Sequence, residues 1–272
     1  MNNAEYLKFL KNLLPRMESL ENSLSIIIQG PLNERIKESL PYYIELVERN
    51  QHISGLGGGL MGNVVISHWK NDDKSIIKDI NSDSVFFVEN DFKELPKYVN
   101  KKGSRGASPW ILQNYSTLSG LKKATGNLCI KVRSDEIYPR LDIFYKKMKE
   151  GSPKFHTSDI FFRPDREEKF HISDHIIGAP RSLMADAFKQ STTECTLKRA
   201  SDYSFPEQLI CHSILRSRGV NIKDYKSKEI MKENFSIVPI SSMPKSIWTC
   251  SYRKYDKLTS QETGWLQDIE NI

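Results

Sequence analysis

Four short apolar runs constrain the fold more than anything else in this chain: SLSIIIQG (23–30), NVVISHW (63–69), SVFFVEN (84–90) and LCIKVRS (128–134). Each has strand length, is rich in β-branched and aromatic residues, and gives way to polar or glycine-containing sequence. Helical stretches separate them. One covers about 33–50, where Pro41 is expected to kink or divide the helix. KSIIKDI reads as a short helix, and PWILQNYSTLSGLKKA (109–124) has Pro109 in its first turn and Gly126 just past its end. Nearly continuous apolar strands alternating with helices imply a mainly parallel sheet covered on both faces, the α/β class. Ligands of such sheets bind beyond the carboxyl ends of the strands, where the strand order reverses.

The second half is less regular. PRLDIFYKKMKE reads as a helix, FHTSDIFFR and FHISDHIIG as strands of mixed orientation, and PEQLICHSILRSRG (206–219) as a helix opened by Pro206 and closed by Gly219. FSIVPIS resembles a short strand, and the tail carrying Trp248 and Trp265 shows no clear pattern. Tyr6, Leu10, Leu13 and Leu14 lie at helical spacing and predict a short amphipathic helix ahead of the first strand. No Pro/Gly/Ser-rich linker divides the 272 residues, so one domain is expected.

Composition narrows the functional classes. Hydrophobic residues at 38% and charged residues at 27% are ordinary for a globular protein, and no apolar run approaches the roughly 20 residues that span a bilayer. No export signal opens the chain. The four cysteines, Cys129, Cys195, Cys211 and Cys250, form no CxxC pair, which argues for reduced thiols in the cytoplasm rather than a zinc or redox site. A net charge of +6 favours anionic partners: nucleotides, phosphorylated lipids, nucleic acid or an anionic membrane face. Its densest cluster, Lys93, Lys97, Lys101, Lys102 and Arg105, also suits a solvated loop. No nucleic-acid fold motif accompanies it, so nucleic acid is not expected as a partner.

Several motifs fail on context. Gly57, Gly59 and Gly62 match GxGxxG, but the match leads into a strand instead of out of one, so it is no dinucleotide fingerprint. His171 and His175, four apart on an expected strand, would stand about 13 Å from each other, too far to share an ion. GxSxG, HExxH, P-loop and kinase signatures are missing from the sequence.

CIKVRSDE (129–136) is the most informative short stretch. Ile130 and Val132 point to one face of the strand, and Lys131, Arg133 and Asp135 to the other. Two readings stand: a solvated, salt-bridged edge strand, or a wall of a crevice for a charged ligand. On the second, Asp135 and Glu136 are placed to hold Mg²⁺ or Mn²⁺ against a diphosphate, with Lys131 and Arg133 neutralising further charge. Asp174, beside His175 and an apolar IIG, is either a structural carboxylate or a group aimed into a cleft.

Taken in order, SIIIQGP, VVISHW, VFFVEND, QNYSTLSGLKKA and IKVRSDE, followed by ISDHIIGAP and FPEQLIC, resemble the WavE lipopolysaccharide-synthesis family of putative glycosyltransferases over about residues 23–215. The resemblance implies a GT-A-like fold: a Rossmann-like, mainly parallel sheet flanked by helices in a nucleotide-sugar half (about 23–136), and a mixed acceptor half (about 137–245) ahead of a C-terminal tail (246–272). Carried over by position, it places Gln29 and Gly30 beside the nucleotide, Ser67 at the end of the second strand, Asp91 near the base or ribose, and Gln113 and Lys122 on a helix facing the donor. Arg133 and Asp135 fall at the DxD-like element, with Arg133 standing where the first acid would be. The resemblance further implies a nucleotide-sugar donor, a glycan or lipid-linked glycan acceptor, help from Mn²⁺ or Mg²⁺, and a cytoplasmic enzyme that can touch the membrane surface. Glu207, at a helix N-terminus, is the first candidate for the base that deprotonates the acceptor, although a carboxylate there also serves as an ordinary helix-dipole partner. Asp174 is the second. The rivals are a nucleotidyltransferase using the same cleft and a non-catalytic module binding phosphorylated glycans or nucleic acid.

Overall fold

The computed structural model describes residues 22–52, 62–95, 109–150, 154–162, 169–197 and 203–248. The expected helix at 4–14, the glycine run up to position 61, the basic residues Lys97, Lys101, Lys102 and Arg105, and Cys250 and Trp265 lie outside the described residues.

The four apolar runs form strands β1 (Leu24–Gln29), β2 (Val64–Trp69), β3 (Val85–Asn90) and β4 (Leu128–Arg133). Helix α1 (Arg35–His52) follows β1, and α2 (Pro109–Lys123) precedes β4. Beyond β4 come α3 (Leu141–Glu150), β5 (Phe155–Ser158), β6 (Ile177–Pro180), α4 (Arg181–Thr196), α5 (Pro206–Ser217), α6 (Ser227–Asn234) and β7 (Phe235–Val238). They build one seven-stranded sheet in the order β3-β2-β1-β4-β6-β5-β7. β6 pairs antiparallel with both β4 and β5, and the other pairings are parallel. The class is therefore the expected α/β one: a mainly parallel, Rossmann-like sheet flanked by helices.

β1 is buried along its whole length because both of its faces are covered. Ile26 and Ile28 join a core formed with Ile36, Tyr43 and Val47 of α1 and Leu141 and Phe144 of α3. Ile27 joins a second core with Leu121 of α2, Phe188 of α4 and Ile210 and Ile214 of α5. The alternation of strand side chains sends neighbours in sequence to opposite cores.

Three expectations need correction. Pro41 does not divide the first helix, which runs unbroken from Arg35 to His52. Pro41 itself is exposed, so water can meet the carbonyl it leaves without a partner, while Ile36, Leu40, Tyr43 and Val47 anchor the helix on both sides of it. KSIIKDI gives only a single 3₁₀ turn at Lys74–Ile76, capped by Asp73. FHISDHIIG is a strand only from Ile177. Residues 169–176 form an irregular segment in which Phe170 adopts a φ of 55°, left-handed backbone that is costly for a bulky side chain.

Candidate functional site

The chain runs outward from β1 through β2 to β3, then returns to β4 on the other side of β1. The reversal of strand order thus falls between β1 and β4, and the crevice beyond their carboxyl ends is where an α/β sheet binds its ligand. Gln29 and Gly30 end β1 there, and Arg133, Ser134, Asp135 and Glu136 end β4. Gly30 has a φ of 133°, and a Cβ on it would stand 2.5 Å from the Ser134 hydroxyl, so the turn requires glycine for both conformation and space. Ser134 Oγ donates to Pro31 O at 2.8 Å and accepts from Asn33, and Arg35, the first residue of α1, donates from Nη1 to Asp135 O at 2.9 Å. The β1–α1 turn is therefore tied directly to the end of β4.

β4 is an interior strand, so the edge-strand reading of CIKVRSDE is overturned. Lys131 is 0% exposed and donates to the backbone carbonyl of Asp174. Burial pushes its ammonium down to about 8, against the pull of the Asp174 charge. This corrects its expected placement toward phosphates: Lys131 points into the core that contains Cys129. Asp174 is buried as well. Burial alone would raise its carboxyl, but Lys131, His175 and Arg133, with a 2.6 Å hydrogen bond donated by Gln113, hold it well below the ordinary carboxylate range. The structure thus brings Gln113 of α2 and Asp174 together over Lys131.

Arg133 Nε and Nη2 donate to the two oxygens of Asp135 at 3.0 and 2.8 Å, and Nε is 3.3 Å from Glu136 Oε1. Burial works against the guanidinium charge, but the Asp135 hydrogen bonds and the Glu136 charge outweigh it and hold its pKa above the usual value. Glu136 is 0% exposed. Its Oε2 accepts from Tyr138 OH at 2.6 Å, and its Oε1 is 2.5 Å from His175 Nδ1. Glu136 is therefore a core anchor, which corrects its expected role as a metal ligand. The residues present do not fit a divalent cation: Asp135 has both oxygens on one guanidinium, Glu136 has both engaged in the interior, and no group of three or more His, Cys, Asp or Glu suited to a metal occurs among the described residues.

The other expected residues scatter. Ser67 is buried, donates to Ser116 O at 2.7 Å and accepts from Asn90, which makes it a tie between β2, β3 and α2 and not a cleft group. Asp91 caps the turn Phe92–Glu94 and pairs with Lys70 at 3.2 Å; the backbone bond from Lys93 and the Lys70 charge lower its pKa. Lys122 is exposed at the far end of α2, nine residues and about 13 Å along the axis from Gln113. It is near the amino ends of the strands, because Asn63, just before β2, donates to the carbonyl of Lys123. Lys122 is thus corrected out of the site. Gln29 is 9% exposed, and its Oε1 is a buried acceptor with no hydrogen-bond partner at the end of β1.

Glu207 occupies the first turn of α5, with Oε2 3.9 Å from Nε2 of buried His171. The segment 169–176 therefore touches Glu207 through His171, Lys131 through Asp174 and Glu136 through His175. Sequence reasoning missed Arg35, the pairing of His171 with Glu207, and an aromatic stack beyond β2 and β3. In that stack Trp69 lies 4.6 Å from Phe92 and 6.5 Å from Tyr115, ring centre to ring centre and near parallel. Arg35 had a legible signal, since it opens the helix after the first strand, where such sheets receive anions. The aromatics come from three separate elements and had none.

No protein-family model matches the chain, and no curated protein matches it. Among solved structures it is similar to the galactosyltransferase LgtC in complex with donor and acceptor sugar analogs, at 9% identity over 92% of this chain and 96% of that one, with a TM-score of 0.48. It is similar to glucosyl-3-phosphoglycerate synthase from Mycobacterium tuberculosis in complex with Mn²⁺, UDP and phosphoglyceric acid, at 14% identity over 76% and 84%, with a TM-score of 0.39. It is also similar to 4-diphosphocytidyl-2C-methyl-D-erythritol synthase from Anaerococcus prevotii, at 13% identity over 93% and 98%, again with a TM-score of 0.39. Likenesses this distant carry no argument about chemistry, which rests on the site itself.

Proposed function

We propose that the protein is a nucleotide-sugar-dependent glycosyltransferase that extends a cell-surface or lipid-linked glycan. The observation that carries this reading is the meeting, at the strand-order reversal, of two guanidinium groups, Arg133 and Arg35, around Asp135, with the segment 169–176 reaching from there to the carboxylate of Glu207. The guanidinium groups suit a diphosphate. The stack of Trp69, Phe92 and Tyr115, with Lys70 and Asp91 beside it, suits a base and ribose at the ends of β2 and β3. Among the described residues no helix is long and apolar enough to cross a membrane.

In the proposed reaction an acceptor hydroxyl oxygen attacks the anomeric carbon of the donor sugar and its proton passes to the Glu207 carboxylate. The bond from the anomeric carbon to the diphosphate oxygen breaks, and its electron pair leaves with the nucleoside diphosphate. His171 lies 3.9 Å from Glu207, and Asp174 is the competing candidate for base. Incubation with a panel of nucleotide-sugars tests the reading: free nucleoside diphosphate supports it, pyrophosphate points to a nucleotidyltransferase, and no turnover to a binding module. Glu207→Gln should bind donor normally and transfer poorly, with turnover lowered at least about 100-fold. Normal transfer by this variant would remove Glu207 from the mechanism.

A further inference from the structure

The expected metal and the observed geometry disagree at one point. A divalent cation in such a site usually takes one or two carboxylates together with the phosphate oxygens of its substrate. Here the exposed carboxylate, Asp135, is gripped on both oxygens by Arg133, and the second acid, Glu136, faces the core onto Tyr138 and His175. A cation entering at Asp135 would have to displace a guanidinium from a bidentate pair and then sit beside its charge, which Coulomb repulsion opposes.

The same grip orients the guanidinium. Nε and Nη2 are spent on Asp135, which leaves the Nη1 edge of a side chain that is still 30% exposed, at the carboxyl end of β4. Arg35 reaches the same place from the start of α1, and the positive end of that 18-residue helix lies behind it. Lys131, buried beneath, is engaged with the Asp174 carbonyl and is not part of this cationic surface.

We propose that Arg133, fixed by Asp135 and seconded by Arg35, takes the place of a divalent cation: it binds the diphosphate of the nucleotide donor and receives the charge of the departing nucleoside diphosphate, so that the protein needs no metal. The ligand's identity rests on the glycosyltransferase reading. As the bond between the anomeric carbon and the diphosphate breaks, the electron pair stays on the phosphate oxygen, and a guanidinium N–H donates to it. The acceptor proton goes to Glu207, and no further reactant is required.

The test is calorimetric titration of the full chain with UDP, GDP and CDP, each in excess chelator and in millimolar MnCl₂, together with a titration by MnCl₂ alone. The nucleotide that binds should do so with the same Kd, within about twofold, in both buffers, and Mn²⁺ alone should give no binding heat. Arg133→Gln should weaken that nucleotide by about tenfold or more, the worth of one charge-assisted hydrogen bond. Arg133→Lys should restore only part of the affinity, because an ammonium cannot span two oxygens in a plane. If Arg133→Gln does not fold, Arg35→Gln should still lower affinity without creating a need for metal. Binding at least about tenfold tighter in Mn²⁺ than in chelator overturns this inference and leaves the glycosyltransferase reading standing, as does unchanged affinity in Arg133→Gln. Failure of every nucleotide to bind in either buffer overturns both.

Discussion

Lys131→Met isolates the central claim about β4, that its charged face is held inside the protein by Asp174 and not by solvent. The substitution keeps the length of the side chain and removes the ammonium, which leaves a buried carboxylate at Asp174 without its main counter-charge. Breaking a buried pair from one side costs about 3–5 kcal/mol. Asp174 keeps the Gln113 hydrogen bond at 2.6 Å and has His175 at 3.8 Å, so the lower end, about 3 kcal/mol, is expected. In a chain of this length that corresponds to a fall of about 6–12 °C in Tm. Urea unfolding at pH 7 of the wild type, Lys131→Met, Asp174→Asn and the double variant gives the coupling directly.

The pH dependence has a worked sign. Asp174 has a folded pKa below its unfolded one, so its contribution is present above the unfolded value and is lost as pH falls through the folded value. The gap between wild type and Lys131→Met should therefore shrink toward acid, where the variant's Asp174 is protonated. Lys131 acts in the same direction at higher pH, since its folded pKa also lies below its unfolded one. Between about 8 and its ordinary 10.5 the unfolded chain holds a proton that the native chain does not, so the wild type gains stability across that window, and pH 7 lies below it. A loss under about 1 kcal/mol, or strict additivity in the double variant, would refute the pairing.

Three further outcomes follow from single contacts. Glu136→Gln keeps the shape of a side chain that accepts from Tyr138 and contacts His175 and Arg133, and it should cost about 2–4 kcal/mol in urea unfolding; a stability change within about 0.5 kcal/mol would return Glu136 to a role outside the core. Gly30→Ala forces a Cβ to within 2.5 Å of Ser134 Oγ at a φ of 133°, so it should lower stability by about 1–3 kcal/mol and loosen the β1–α1 turn, read as faster amide exchange around Arg35. His156 is buried, and burial lowers its pKa to about 4. Between about 6.5 and 4 the unfolded chain takes up a proton first, so the wild type should lose about 3 kcal/mol on acidification through that window, and His156→Leu should lose that much less.

The parallel half of the fold was legible because β1 and β2 are buried along their whole length and β4 along most of it, so they read as apolar runs between turn residues, while β3, at the sheet edge, still reads as a run of β-branched and aromatic residues. The helix is not divided at Pro41 because position 41 faces water while Ile36, Tyr43 and Val47 grip the core on either side, which sequence alone does not show. CIKVRSDE was legible as unusual, and its position at the centre of the sheet could not be read from its own eight residues. Lys131 required a partner 43 positions away in sequence, and no local pattern points to one.

The direction of β6 explains why the partners of β4 were hidden. In a parallel crossover, the residues that follow a strand reach the ligand end of the sheet, which is why the ends of the first three strands and CIKVRSDE were the natural places to look. β6 runs against β4, with Leu128 opposite Pro180 and Lys131 opposite Ile177. The segment that precedes β6 is therefore the one delivered to the carboxyl end of β4, and it brings Asp174 over Lys131 and His175 onto Glu136. Three residues earlier, His171 reaches Glu207 at the start of α5, so one irregular stretch spans from the cationic cluster to the candidate base. Reading FHISDHIIG as a strand treated those polar residues as alternating sheet positions. The left-handed backbone at Phe170 and the bends through His175 turn them instead, buried, onto the carboxyl end of β4, where their charges meet those of β4. A single reversed strand thus moves the chemistry from the residues after a strand to those before it.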